Sequence, residues 1–295
     1  MSAPPYTFNS PLGADVILRA PLQPESDEFR DFHVHKIILS IASSVFQDTF
    51  SVPQPPRFTS ERTTLDVIPV TEPATVLEPF LQLIYPVDPP VIKDLRLVDD
   101  LFRLADKYAT KGVSARLRKL LVSPSFLEHD PIGVFAIACR SNLDEEERLA
   151  VSHTFSIDVI SKISREHLRA MTTETYHRLL EKHAVRRQQL IYAVDQVRRS
   201  WCGCVENVTK EIRLVTSGRP FLDREILDTC LSSAKGVRCG GGSCICVTGY
   251  GGGFSSAVMR AIQAMPTGGT MEEFEAAKAI KRTPRRPRLS VFGDD

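Results

Sequence analysis

Seven cysteines carry the sharpest chemistry in this chain of 295 residues, and five of them cluster late in it. Cys202 and Cys204 follow Trp201 in a Cys-Gly-Cys step, and Cys239 and the pair Cys244 and Cys246 flank a run of three glycines. Zinc takes four thiolate or imidazole ligands in a tetrahedron. Cys202, Cys204, Cys239 and either Cys244 or Cys246 could supply them, with glycines letting the backbone wrap closely. Against this stands the spacing, because structural zinc sites more often use Cys-x2-Cys. The competing reading is a set of free thiols in a glycine-rich segment. Cys139 and Cys230 sit at apolar helical positions and read as core residues.

Two other segments invite chemistry and fail on detail. Gly249 to Gly253 resembles a phosphate-cradling loop, but no Gly-Lys-Ser/Thr follows, and Phe254 stands where a dinucleotide fingerprint needs glycine. A glycine-rich linker is the better account. Lys281 to Arg288 packs five positive charges into eight residues, a pattern shared by nuclear-import signals, nucleic-acid-binding tails and plain solvated tails. His153, His167, His177 and His183 make no ligand set, and no serine, cysteine or acid is placed in sequence to suggest a catalytic relay.

Bulk composition narrows the class. Hydrophobic residues at 42% and charged residues at 25% suit a globular protein rather than a disordered one. A formal net charge of +1 gives no drive toward wholesale nucleic-acid or membrane binding. No run nears the roughly 18 apolar residues of a membrane span. Met1 to Ala14 has three prolines and no basic residue, which does not read as a secretory signal. The expected compartment is cytosol or nucleus, where thiols stay reduced.

The elements follow from periodicity. Asp15 to Ala20 reads as a strand, Pro21 to Asp27 as a turn, and Glu28 to Val34 as the returning strand of a hairpin. Ile37, Ile38, Ile41 and Val45 recur at helical spacing, with Phe46 and Phe50 continuing the apolar face. Ser43-Ser44 predicts a break between two short helices, with serine as N-cap. Residues 52–60 form a loop and Thr64 to Val70 a third strand. Three helices follow: one through Val76, Leu77, Phe80, Leu83 and Ile84, ended by Tyr85-Pro86; one through Val98, Leu101, Phe102, Ala105 and Tyr108; and one through Val113, Leu117, Leu120 and Leu121.

Beyond Pro124 the pattern is helical throughout. A helix starts at Pro131 with Ile132, Phe135, Ala136 and Cys139 on one face. Another covers Asp144 to Ile163, with acids in its first turn. A short one spans Ser164 to Met171, a long one Thr173 to about Trp201, and a last one Leu222 to Leu231. The expected class is α+β, a small sheet with helices segregated onto it. Three segments are expected: 10–122, a helical region 123–235, and a Cys/Gly-rich segment with a basic, disordered tail at 236–295.

Several motifs in the first segment, in order, resemble a BTB/POZ domain of the fungal type. Asp15-Val16-Ile17-Leu18 resembles the opening strand. Phe32 to Phe46 resembles the family signature, with His35-Lys36, Leu39, Ser43 and then Phe46. Tyr85 resembles the helix-ending tyrosine, and Ala105 to Tyr108 the helix that follows. This resemblance implies binding rather than catalysis: protein partners, including a second copy of the chain and a cullin-type ubiquitin-ligase scaffold. It names no small-molecule substrate and no cofactor beyond the zinc considered above. The expected role is an adaptor or scaffold. The alternative is a nuclear, transcription-related regulator with a cysteine-cluster zinc site and a basic tail. Asp15 and His35 are expected to be structural, His35 fixing the strand-to-helix corner by a hydrogen bond to a backbone group.

Overall fold

The computed structural model describes residues 8–9, 13–24, 27–52, 65–198, 206–217, 220–222, 224–233 and 251–264. The chain divides into two compact units, Met1–His129 and Asp130–Asp295.

In the first unit, β1 (Val16–Pro21) and β2 (Phe29–Val34) pair antiparallel, and β3 (Asp66–Pro69) adds parallel to β1, giving the order β2-β1-β3. Alternation along β1 sends Val16, Leu18 and Ala20 into the core, as the two-residue side-chain period of a strand requires. Register is reinforced on the other face. Arg19 lies opposite Asp31 and grips its carboxylate through two 2.7 Å hydrogen bonds. That guanidinium holds the Asp31 carboxyl below the usual carboxylate range.

Helices α1 (Lys36–Ala42) and α2 (Ser44–Ser51) follow the hairpin. After β3 come α3 (Ala74–Ile84), α4 (Leu95–Lys107), α5 (Lys111–Leu121) and α6 (Pro124–His129). The expected α+β order therefore stands. Leu77, Phe80, Leu81, Leu101 and Leu117 are fully buried. Arg30 clamps Glu78 at 2.7 and 2.8 Å, fixing β2 to α3, and the Arg116 guanidinium donates to the Leu83 carbonyl at the end of α3.

The second unit is helical in all its described elements. It comprises α7 (Pro131–Arg140), α8 (Asp144–Thr154), α9 (Val159–Lys162), α10 (Arg165–Ala170), α11 (Thr173–Arg198), α12 (Glu206–Val215), α13 (Arg224–Ser233) and α14 (Gly251–Gln263). Asp130 caps α7 by accepting from the Gly133 amide at 2.9 Å, and Asn142 takes positive φ just past its end, as a short polar residue can.

Several expectations need correction. α7 is buried from Pro131 through Ala138 rather than on one face, so its apolar periodicity was masked by small residues on the other sides. The helix expected over Asp144–Ile163 is two, because Phe155 turns into the core and the Asp158 carboxylate caps a new start at the Ile160 amide. α12 is absent from the expected order, although Val208, Ile212 and Val215 have helical spacing. Gly251, Gly252 and Gly253 begin α14 rather than forming a linker. Val258 and Ile262 of that helix join one core with Leu190, Ala193, Val194, Val208, Ile212, Leu227 and Cys230, so the helical region extends past residue 235. The first unit likewise extends past 122 to include α6.

One buried imidazole ties this unit together. His183 on α11 is 5% exposed, edge-on to Phe155. The Thr154 hydroxyl donates to the Val151 carbonyl and stands 2.9 Å from His183 Nε2. Its proton is thus committed, so it accepts from Nε2–H. Burial first, then the charge of Arg187, pull the His183 pKa down to about 4 against a counteracting Asp158. The unfolded chain therefore takes up the proton first as pH falls. Stability should be level above about pH 6.5 and decline between about 6.5 and 4, by about 3 kcal/mol in total. Denaturation of wild type and His183→Leu across this range checks it: the difference between the two stability curves should slope in that window and flatten above it.

Candidate interaction surface

The segment from Asp15 to Tyr108 is held together by two polar corners, one at each end of α1. At the first, helix α1 begins at the end of β2 without a cap from its own N-cap side chain, His35. Asp15 supplies it instead: its Oδ1 accepts the Lys36 amide at 2.7 Å, satisfying a helix N–H that has no intrahelical partner. The His35 amide donates to the Tyr85 hydroxyl at 2.8 Å, and His35 Nδ1 lies 3.2 Å from the same oxygen. One contact that seats the His35 ring on this corner is thus with a tyrosine hydroxyl. Tyr85 is buried at the end of α3, edge-on to Phe8. Lys36 reaches Asp66 at the start of β3, at 3.2 Å and half exposed, where such pairs contribute little.

At the second corner Ser43 leaves helical geometry, with φ −146° and ψ 122°. Its hydroxyl donates to the Tyr108 carbonyl at 2.6 Å and accepts the Phe46 amide at 3.0 Å. That is the predicted break and N-cap. Phe46 then stacks on the Tyr108 ring with centroids 4.5 Å apart, and Leu39, wholly buried, fills the space between the two corners. Asp15, His35, Lys36, Leu39, Ser43, Phe46, Tyr85 and Tyr108 therefore make one continuous seam beneath α1 and α2.

Sequence reasoning missed Glu72. It is 6% exposed and lies under the same seam. It accepts the Tyr108 hydroxyl at 2.9 Å and the Lys107 ammonium. Burial raises its pKa, but the bonds from Lys107, its own backbone and Tyr108 outweigh that and hold it below the usual range. The same burial, with the Glu72 charge beside it, pushes the Tyr108 hydroxyl well up. No local motif marks Glu72, since Lys107 and Tyr108, which hold it, lie 35 and 36 residues away.

The seam dictates what faces outward. The periodicity placed Ile37, Ile41 and Val45 on the buried face with Phe46. They are instead 65%, 81% and 36% exposed. The break at Ser43 sets the two helices in different phases, and α1 is seated by Leu39, which leaves its Ile37–Ile41 side in water.

The cysteines do not enter this surface. Cys202, Cys204, Cys239, Cys244 and Cys246 lie outside the described residues, as does the Lys281–Arg288 run. Cys230 is buried and Cys139 half-buried. Burial, with the nearby Glu147 charge, pushes the Cys139 thiol up to about 12, and burial likewise raises Cys230. Among the described residues no group of three or more His, Cys, Asp or Glu could hold a metal ion, and no helix is long and apolar enough to cross a membrane.

The family model of the BTB/POZ domain matches residues 15–125. This part of the chain is a BTB/POZ domain. The match runs from the aspartate that caps α1 into α6, and it takes in both polar corners. BTB/POZ domains are protein-interaction modules, so the outward face of α1 and α2 belongs to a domain built to bind other proteins. A comparison with curated proteins gave no match.

Ser43→Ala should remove the cap and leave the buried Tyr108 carbonyl unpaired, costing about 2–3 kcal/mol. Ser43→Thr, which keeps the hydroxyl, should cost less. Calorimetry of the full chain should show the loss in the transition of the BTB/POZ domain alone. An unchanged transition in Ser43→Ala would mean that the corner does not hold the domain.

Proposed function

We propose that this protein is an adaptor whose BTB/POZ domain joins a second copy of the chain through the outward face of α1 and α2. The observation that carries this reading is the apolar row of Ile37, Ile41 and Val45, held in water by a helix whose other side is locked into the core. Lys36 is the only charged residue in α1, and it is paired with Asp66. Two such helices can therefore approach about a two-fold axis without like-charge repulsion, each row covering its equivalent. The gain comes from apolar area removed from water on both copies. A self-associated pair would present two helical units side by side, which suits a scaffold. The resemblance also supports docking of a cullin-type scaffold on the same domain.

Light-scattering mass of the full chain tests the first part. Wild type should run as a dimer. Ile41→Asp, which puts a carboxylate into the contact, should weaken association at least about tenfold, with an unchanged circular dichroism spectrum because the side chain is exposed in the single chain. Wild type at monomer mass up to high concentration would sink self-association by this face. Mixing with a purified cullin N-terminal fragment separates the roles: added mass makes a ubiquitin-ligase adaptor the leading account, and none leaves a scaffold.

A further inference from the structure

A cavity of about 600 Å³ opens beside α13 in the second unit, a volume that suits a small organic molecule. Ser156 reaches it from the end of α8 and Val215 from the end of α12, and Phe221 lies just before α13. α13 itself contributes Glu225, Ile226 and Cys230. The lining is anchored. Cys230 is 4% exposed and belongs to the core shared by α11 to α14, and Val215 and Ile226 pack against that core. Phe221 is exposed and completes the apolar part of the wall.

The side-chain oxygens of the lining all accept. The Ser156 hydroxyl donates its proton to the His153 carbonyl at 2.9 Å, and the Thr229 hydroxyl, also in the lining, donates to the Glu225 carbonyl at 2.8 Å. A hydroxyl has a single proton, so both oxygens face a ligand through lone pairs. The Glu225 carboxylate offers two more acceptor oxygens, and among the described residues no group hydrogen-bonds or ion-pairs with it. Burial, then the Glu211 charge, raise the Cys230 thiol, which keeps it neutral and at most a weak donor. Glu211 thus adds a second negative charge nearby. Among the described residues no lysine, arginine or histidine lines the cavity.

We propose that this cavity binds a small primary amine on an apolar stem, its ammonium group held by Glu225 and Ser156 and its stem against Val215, Phe221 and Ile226. A primary ammonium carries three N–H donors and no acceptor, the complement of a lining rich in acceptors. Its hydrogen bond to a carboxylate is charge-assisted, about twice as strong as a neutral one, and an aromatic ring such as Phe221 attracts the same cation. An anion of equal shape would meet the charges of Glu225 and Glu211 and oxygens with no proton to give, so the cavity selects by charge. A segment of protein chain suits it less, because its backbone carbonyls would find no strong donor in the lining. The site lies wholly in the second unit and is independent of the self-association proposed for the first.

Calorimetric titration of the full, reduced chain with phenylbutylamine tests the site. Saturable binding at one site per chain is expected. Phenylbutyrate, with the same body and the opposite charge, should bind at least about tenfold more weakly. Phenylbutanol reports the apolar walls alone. Glu225→Gln should weaken the amine about tenfold and leave phenylbutanol unchanged, and Glu225→Lys should turn the preference toward phenylbutyrate. Glu225 is exposed, so both variants should keep the wild-type circular dichroism spectrum. No saturable binding of the amine, equal binding of phenylbutyrate, or an amine affinity untouched by Glu225→Gln each overturns the proposal. So does tighter binding of a blocked Phe-Lys-Phe peptide, which would make a protein segment the occupant. Should a variant not fold, the wild-type comparison of amine with phenylbutyrate decides.

Discussion

One hydroxyl group sets the geometry of the BTB/POZ domain. Ser43 Oγ holds the Tyr108 carbonyl and the Phe46 amide at once, so the same atom ends α1, starts α2 and joins both to α4. A buried carbonyl and a free helix N–H are each costly when unpaired, and here a single side chain answers both. With that corner fixed, Phe46 must lie flat on Tyr108 and Leu39 must point inward. The side of α1 that bears Ile37 and Ile41 then has nowhere to go but outward.

The signature residues are therefore the frame beneath the proposed interaction face rather than the face itself. Asp15 and Tyr85 pin the start of α1, and Ser43 and Tyr108 pin its end. Beneath them Glu72 is ionised and buried, held by Lys107 and Tyr108. A buried carboxylate stripped of such partners would be strongly destabilising, so the cluster also ties the entry to α3 to the end of α4. A rigid seam of this kind suits a binding surface, because a helix already fixed in place loses little freedom when a partner covers it.

The second unit uses a different principle. α7 is buried on all sides, and His183 sits neutral against Thr154 and Phe155. Toward the far end of α11 the core is shared among four helices, three of them short. Stability there rests on packing these helices against one another.

The sequence by itself determined the order of elements, the hairpin, the break at Ser43 and the end of α3 at Tyr85-Pro86. These depend on local rules of periodicity, capping and proline geometry, each read within a few residues. What it could not decide was which apolar side of α1 faces the core, because Ile37, Leu39 and Ile41 are equally apolar and only the anchors at Asp15, Tyr85 and Tyr108 choose between them. Nor could it find Glu72, whose partners are far along the chain, or the core that brings α11 to α14 together across segments distant in sequence. Those outcomes belong to tertiary packing, where contacts between remote residues select one arrangement from several that local preference allows.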